Sequence, residues 1–343
     1  MEGSPGLVLA ACLCAWIISA RCAGLILVHA FRKHRRDVMV AGALFLIALA
    51  LRIIVPHGPF GFAELERINE IWLPQWGSRA ELAAARVPVA FLRSLGASSL
   101  FSTQATFTVV SAAEVALVFA IVRALGLARS GALFGAFIIM LWPSHIRMAG
   151  GTPTTVMGAF LVTASIGAAA IGWSRPADEL SREIREYRWM LLACLIGLSF
   201  FCRKETPVLV CAAAPLLFAE HWRRLERAKV LGAGALCFSL FLWVRIAHPS
   251  TETKDPVSLT KFLGIFFEHH PGLLDIGLVP TFWYLLAGVG LVAARGIPPL
   301  LRVVWVATLL PFLVASSALG YEINPMWGQS RYYVMLVAPT AIL

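Results

Sequence analysis

The sequence predicts an all-α protein, a polytopic transmembrane helical bundle of about ten or eleven spans with a helix lying at the interface in its first long loop. Three observations predict it. Hydrophobic residues make up 59% of the 343 and charged residues only 14%, against about 25% charged in a soluble domain. The apolar residues gather into long runs separated by short charged loops. The loops alternate between strongly basic and nearly neutral, as they do when a chain passes back and forth across a bilayer. With a mean hydropathy of +0.78, a water-soluble protein is excluded.

The apolar runs fall at 5–31, 38–55, 105–122, 131–144, 153–173, 189–201, 207–220, 230–247, 279–293 and 303–318, with a last one beginning at Tyr332. The first, interrupted by Arg21, lacks the charged leader and small-residue cleavage site of a secretory signal, so it is expected to stay as an additional N-terminal span. Several runs are shorter than the roughly 20 residues that cross a bilayer upright. They must borrow flanking residues or form re-entrant hairpins. No internal repeat or soluble domain is visible, so 1–343 reads as a single transmembrane domain. Tyr332 to Leu343 is only 12 residues, too short to cross, and the chain is expected to continue beyond it.

The net charge of +10 lies in loops between apolar runs, not along one amphipathic face; it argues for topology and against nucleic acid as a partner. Loops 32–37, 122–131, 174–188, 221–229 and 294–302 carry sixteen Lys and Arg in 49 residues, whereas 53–90, 144–152, 202–206, 246–278 and 319–331 carry nine in 98. The first set is therefore expected in the cytoplasm and every long loop outside. The setting expected is the cytoplasmic membrane of a bacterial cell, with membrane lipids all round. The seven cysteines lie in or beside apolar runs without zinc-type spacing and read as small core residues.

In the first outer loop, Glu64 to Trp76 places Leu65, Ile68, Ile71 and Trp72 on one helical face, which makes it the candidate interfacial helix. It also carries Glu64, Glu66 and Glu70 just beyond a span. A carboxylate at the membrane edge can serve as general base, or simply form the wet face of that helix. Arg203 and Lys204 stand on the sparsely basic side between two apolar runs; they can hold the phosphate of a lipid carrier, or snorkel to the headgroups. Arg331, at the start of the last run, can complete the same anion site. Trp142 to Thr152 ends another span with His145 and Arg147, and Glu114 sits within the run 105–122, where a charge needs a partner or a cavity. No metal ligands are assigned: His145 has no companion at helical spacing, and neighbouring side chains in Glu268-His269-His270 diverge.

The order of these features resembles the GT-C superfamily of polytopic glycosyltransferases, particularly its protein O-mannosyltransferase and aminoarabinose transferase branch, over most of 38–343. The matching elements are Ala50-Leu51-Arg52 leading to Glu64 and Glu66, Pro143 to Arg147, Gly197-Leu198 to Arg203-Lys204, and Arg331-Tyr332. Glu64 and Glu66 are separated by Leu65 where the family has an adjacent pair, and Thr152 to Thr155 stand where it often has an acid. The resemblance implies a GT-C-like core at 38–343 and inverting transfer of a sugar from a polyprenyl-phosphate carrier to a protein, lipid or glycan acceptor on the outer face. Glu64 or Glu66 is then the base, with Arg203, Lys204 and Arg331 on the lipid phosphate and His57, His145 and Arg147 as substrate contacts. No cofactor is assigned and a divalent metal is left open. Two alternatives stand beside this reading: a transporter or flippase for lipid-linked sugars, and a catalytically silent membrane subunit of the same fold.

Overall fold

A computed structural model describes residues 4–54, 82–142, 145–146, 149, 153–173, 179–203, 206–247, 302 and 342. Among the described residues every regular element is helical: α1 (Ser4–Ile54), α2 (Ala83–Ser94), α3 (Ser99–Ala124), α4 (Arg129–Leu141), α5 (Pro153–Ala170), α6 (Arg182–Phe200), α7 (Thr206–Val210), a 3-10 turn (Cys211–Ala213), α8 (Ala214–Leu217) and α9 (Arg224–Ala247). Three stretches among the described residues are long and apolar enough to cross a membrane: Gly6–Ile54, Leu100–Ala124 and Arg224–Val244. The fold is thus all-helical with the composition of a membrane protein. The candidate interfacial helix at 64–76, the runs at 279–293 and 303–318 and, except for Ile342, the run from Tyr332 fall outside the described residues.

At His34 the backbone leaves helical values (φ −131°, ψ 43°), dividing α1 into two arms. The break falls inside the exposed cluster Arg32-Lys33-His34-Arg35-Arg36, where mutual repulsion of like charges favours solvent over a packed turn. Both arms enter one core, through Val8 and Cys12 on the first and Leu44 and Ala48 on the second. Asp37 meets Arg123 at the end of α3, while Arg52 meets Ser111 in its middle, so the second arm runs antiparallel to α3. Glu114 faces Thr163, and Ile121 faces Gly167; α5 therefore runs parallel to α3. Arg188 reaches Ile171 and Cys202 reaches Thr154, which sets α6 antiparallel to α5. One end of the bundle, called the basic end below, gathers Asp37, Arg123, Arg129, Arg188 and Glu226; the opposite end holds Thr154 and Arg203.

Glycines at positive φ make two of the corners. Gly96 (φ 89°) and Gly126 (φ 82°) follow α2 and α3, and each corner returns its amides to the last helical carbonyls, Ala97 to Leu92 and Leu127 to Val122. A Cβ would strain that left-handed backbone, so glycine terminates the helix at low cost.

α2 is a departure from the sequence expectation, which placed 83–90 in an outer loop. Pro88 lies inside this helix, where it can give no amide to the carbonyl four residues back. That carbonyl, Ala84 O, instead accepts the indole N–H of Trp16 at 2.9 Å. The Ala84 amide, one of the first-turn donors without a helical acceptor, donates to Phe201 O at 2.8 Å. Both polar groups that a proline-bearing helix end leaves over are thus taken up by α1 and the end of α6, and the alanines at 83–85 let α2 approach closely enough to be fully buried there.

Candidate functional site

A fully buried polar cluster lies on α1, α3, α5 and the residue pair 145–146. Arg52, Ser111, Glu114, His145 and Thr163 are all inaccessible to solvent. Arg52 donates from Nε to Ser111 Oγ (2.6 Å) and from an Nη to Ala48 O (3.0 Å), and its second Nη lies 2.8 Å from His145 Nδ1. A guanidinium can only donate, so Nδ1 is the acceptor and the ring proton sits on Nε2. That Nε2–H points at Glu114 Oε2, 2.9 Å away. The other carboxylate oxygen, Oε1, accepts from Thr163 Oγ1 at 2.7 Å. The result is a neutral imidazole bridging a buried cation and a buried anion, with charges in balance.

The second cluster is at the opposite end. Arg203 follows α6 and donates from one Nη to Thr155 Oγ1 (2.6 Å) and Thr154 Oγ1 (3.4 Å) in the first turn of α5. Cys202 Sγ bonds Thr154 O in the same corner. Threonines thus stand where the resemblance suggested an acid, and they position the Arg203 cation by hydroxyl contact. The helix start adds its own partial positive charge there.

The basic end is bound together by ion pairs. Asp37 joins the second arm of α1 to Arg123 (3.1 Å) and Arg129 (2.6 Å); burial alone would push its carboxyl up, but the two guanidiniums hold it below the usual carboxylate range. Arg188 is fully buried, stacks 4.2 Å over Trp222, donates to Ile171 O and His221 O, and pairs with Glu226. His221 Nε2 and Trp222 Nε1 both donate to Ala169 O at 2.9 Å. These contacts satisfy carbonyls at the end of α5 that have no helical partner. Burial pushes the His221 imidazole down to about 4, against the hydrogen bond to Ala169 that would raise it.

No protein-family model, curated protein or solved structure matches this chain. The site rests on its own geometry. Of the residues singled out from the sequence, Arg203, His145 and Glu114 are described, Arg203 in one cluster and His145 with Glu114 in the other. His145 has both ring nitrogens engaged inside the bundle. His57, Glu64, Glu66, Arg147, Lys204 and Arg331 lie outside the described residues, as do Glu268, His269 and His270. Glu114, whose burial demanded a partner, has two, His145 and Thr163. Sequence reasoning passed over Arg52 as a site residue, although a lone cation late in one apolar run and a lone anion inside another are natural partners. Ser111 and Thr163 carried no such signal, being ordinary small polar residues of apolar helices. Among the described residues no three His, Cys, Asp or Glu are grouped to hold a metal ion.

Proposed function

We propose that this protein is a multi-pass membrane glycosyltransferase that moves a sugar, with inversion, from a polyprenyl-phosphate carrier to an acceptor on the face of the membrane away from its basic loops. The observation that carries this reading is the placement of Arg203. It is held by Thr154 and Thr155 at the start of α5, at the end where cations are scarce and are not needed to set topology. A guanidinium beside a helix N-terminus suits a phosphate, in the bound carrier and more so as negative charge develops on its departure. Phosphate leaves with little protonation, so the remaining requirement is a base for the acceptor, which this reading assigns to Glu64 or Glu66. This reading assigns Lys204 and Arg331 to the same clamp.

The test is reconstitution in vesicles with a polyprenyl-phosphate sugar, following both transfer and anomeric configuration. Arg203→Ala is expected to lower the transfer rate by about 100-fold or more, with Arg203→Lys intermediate because it keeps the charge but loses the fork. Glu64→Gln with Glu66→Gln should abolish transfer. Wild-type rates in all of these variants would remove the assignment.

One observation favours a second reading, a transporter of lipid-linked sugars. The buried Arg52–His145–Glu114 chain is the kind of interior ionisable group that lines transport paths. In the same vesicles a transporter moves the intact donor between leaflets and yields no glycosylated product.

A further inference from the structure

We propose that the bend of α1 at His34 is a binding site for the headgroups of anionic phospholipids in the leaflet at the basic end. The inference holds whether the protein transfers sugars or carries them. It starts from the cations at that end and where each finds its counter-charge. Arg123 and Arg129 share Asp37, Arg188 pairs with Glu226, and Lys229 pairs with Glu186. Arg32, Lys33, Arg35 and Arg36 differ. All four are exposed, and among the described residues none of them meets a carboxylate. Asp37 is the acid nearest to them in sequence, but both of its oxygens are taken by other helices, Oδ2 by Arg123 of α3 and Oδ1 by Arg129 of α4. The bend therefore keeps four positive charges that the fold does not neutralise.

The surroundings of these cations select the anion. Leu27, Val28 and Phe31 are exposed on the turns before the bend, and Met39 is exposed just after it. They belong to a stretch apolar enough to cross a membrane, so they lie among acyl chains, immediately beside the charges. The guanidinium carbon of Arg35 sits 5.7 Å from the centroid of the Phe31 ring, within cation–π reach. A guanidinium resting on a lipid-exposed ring is at headgroup depth, and its fork of N–H donors matches the oxygens of a phosphate. Arg32, Lys33 and Arg36 add charge around it. Four cations beside a span are the footprint that attracts anionic lipid. A phosphate that carries acyl chains meets both the cations and the apolar arm below them, whereas a soluble anion meets the cations alone. Topology asks only that cations be present at this end, and the paired ones serve it equally well.

Native mass spectrometry of the purified protein, from mixed micelles holding equal amounts of phosphatidylglycerol and phosphatidylcholine, separates lipid preference from topology in the cell. The unaltered protein should retain phosphatidylglycerol over phosphatidylcholine. Arg32→Gln, Lys33→Gln, Arg35→Gln and Arg36→Gln combined should cut that preference by about tenfold or more. Should the combined variant not fold, Arg32→Lys, Arg35→Lys and Arg36→Lys together keep the charge but lose the fork, and should retain only part of the preference. Arg182→Gln with Arg224→Gln removes exposed cations elsewhere and should leave the preference in place. The proposal is overturned if the unaltered protein holds both lipids equally, or if the variants at the bend keep the full preference. It is also overturned if Arg182→Gln with Arg224→Gln lowers the preference as much per charge removed, which would make it a matter of net charge alone. Glycerol 3-phosphate, a phosphate ester without acyl chains, should fail to displace phosphatidylglycerol at equal concentration; displacement would overturn the lipid assignment in favour of a soluble anion.

Discussion

Glu114 shows what a single residue discloses before its fold is known. Its position inside an apolar run dictated that it have a partner, and nothing in its neighbourhood supplied one. The partners come from 31 and 49 residues away, and Arg52 from 93 residues before the histidine that links the two charges. Such pairing is decided by which helices touch, so the charges were legible and their connection was not. The connection has an energetic signature. Glu114→Gln leaves Arg52 buried without a counter-charge, and Arg52→Gln leaves Glu114 in the same position; each should destabilise the protein by about 3–5 kcal/mol. The double variant removes both charges together and should lose much less than the sum. Thermal unfolding of the three variants in detergent micelles measures this, and simple additivity would mean that the two charges do not sense each other through His145.

Among the elements, α2 is the one that sequence pattern concealed. Pro88 argues against a helix locally although the alanines at 83–85 favour one, and α1 and α6 support the helix by taking up its unpaired polar groups. Trp16→Phe removes the indole donor and should cost about 1–3 kcal/mol, the desolvation of a buried carbonyl left alone. Restoring an amide four residues along with Pro88→Ala should recover most of that loss in the double variant, since Ala84 O regains its ordinary helical donor. Chemical unfolding in mixed micelles reads out both steps. The corner where α5 ends makes a pH prediction of its own. His221 is held at about 4 against an ordinary 6.5, so between those values the unfolded chain binds a proton that the folded chain refuses. Stability should therefore fall as pH drops from about 6.5 to about 4 and the loss should level off below that. Glutamine can donate to Ala169 O without titrating, and in His221→Gln the fall over this window should flatten.

Across the whole molecule, the described residues of the eight apolar runs from 5–31 to 230–247 fall on helical segments of the bundle and the turns that end them. Hydrophobic run length therefore carried the architecture where the chain is described. It did not reveal that the stretch 206–222 returns from the opposite end to the basic end through α7, a 3-10 turn and α8 in place of one helix. Pro207 and Pro215 within that run are the local signal that a continuous ladder cannot form. The proposed outward-facing site depends on which side each end of the bundle occupies, and that is open to direct measurement. Ser94 is exposed at the end of α2, on the side of Arg203, while Glu183 and Glu220 are exposed near the Arg188 cluster. In a cysteine-free background, an impermeant maleimide added to intact cells should label Ser94→Cys. If the positive-inside rule sets the orientation, Glu183→Cys and Glu220→Cys should react only after the membrane is opened. Labelling of all three from one side would break the alternation of passes on which the bundle rests. The inverse pattern would place Arg203 in the cytoplasm, where it would face a different set of carriers and acceptors.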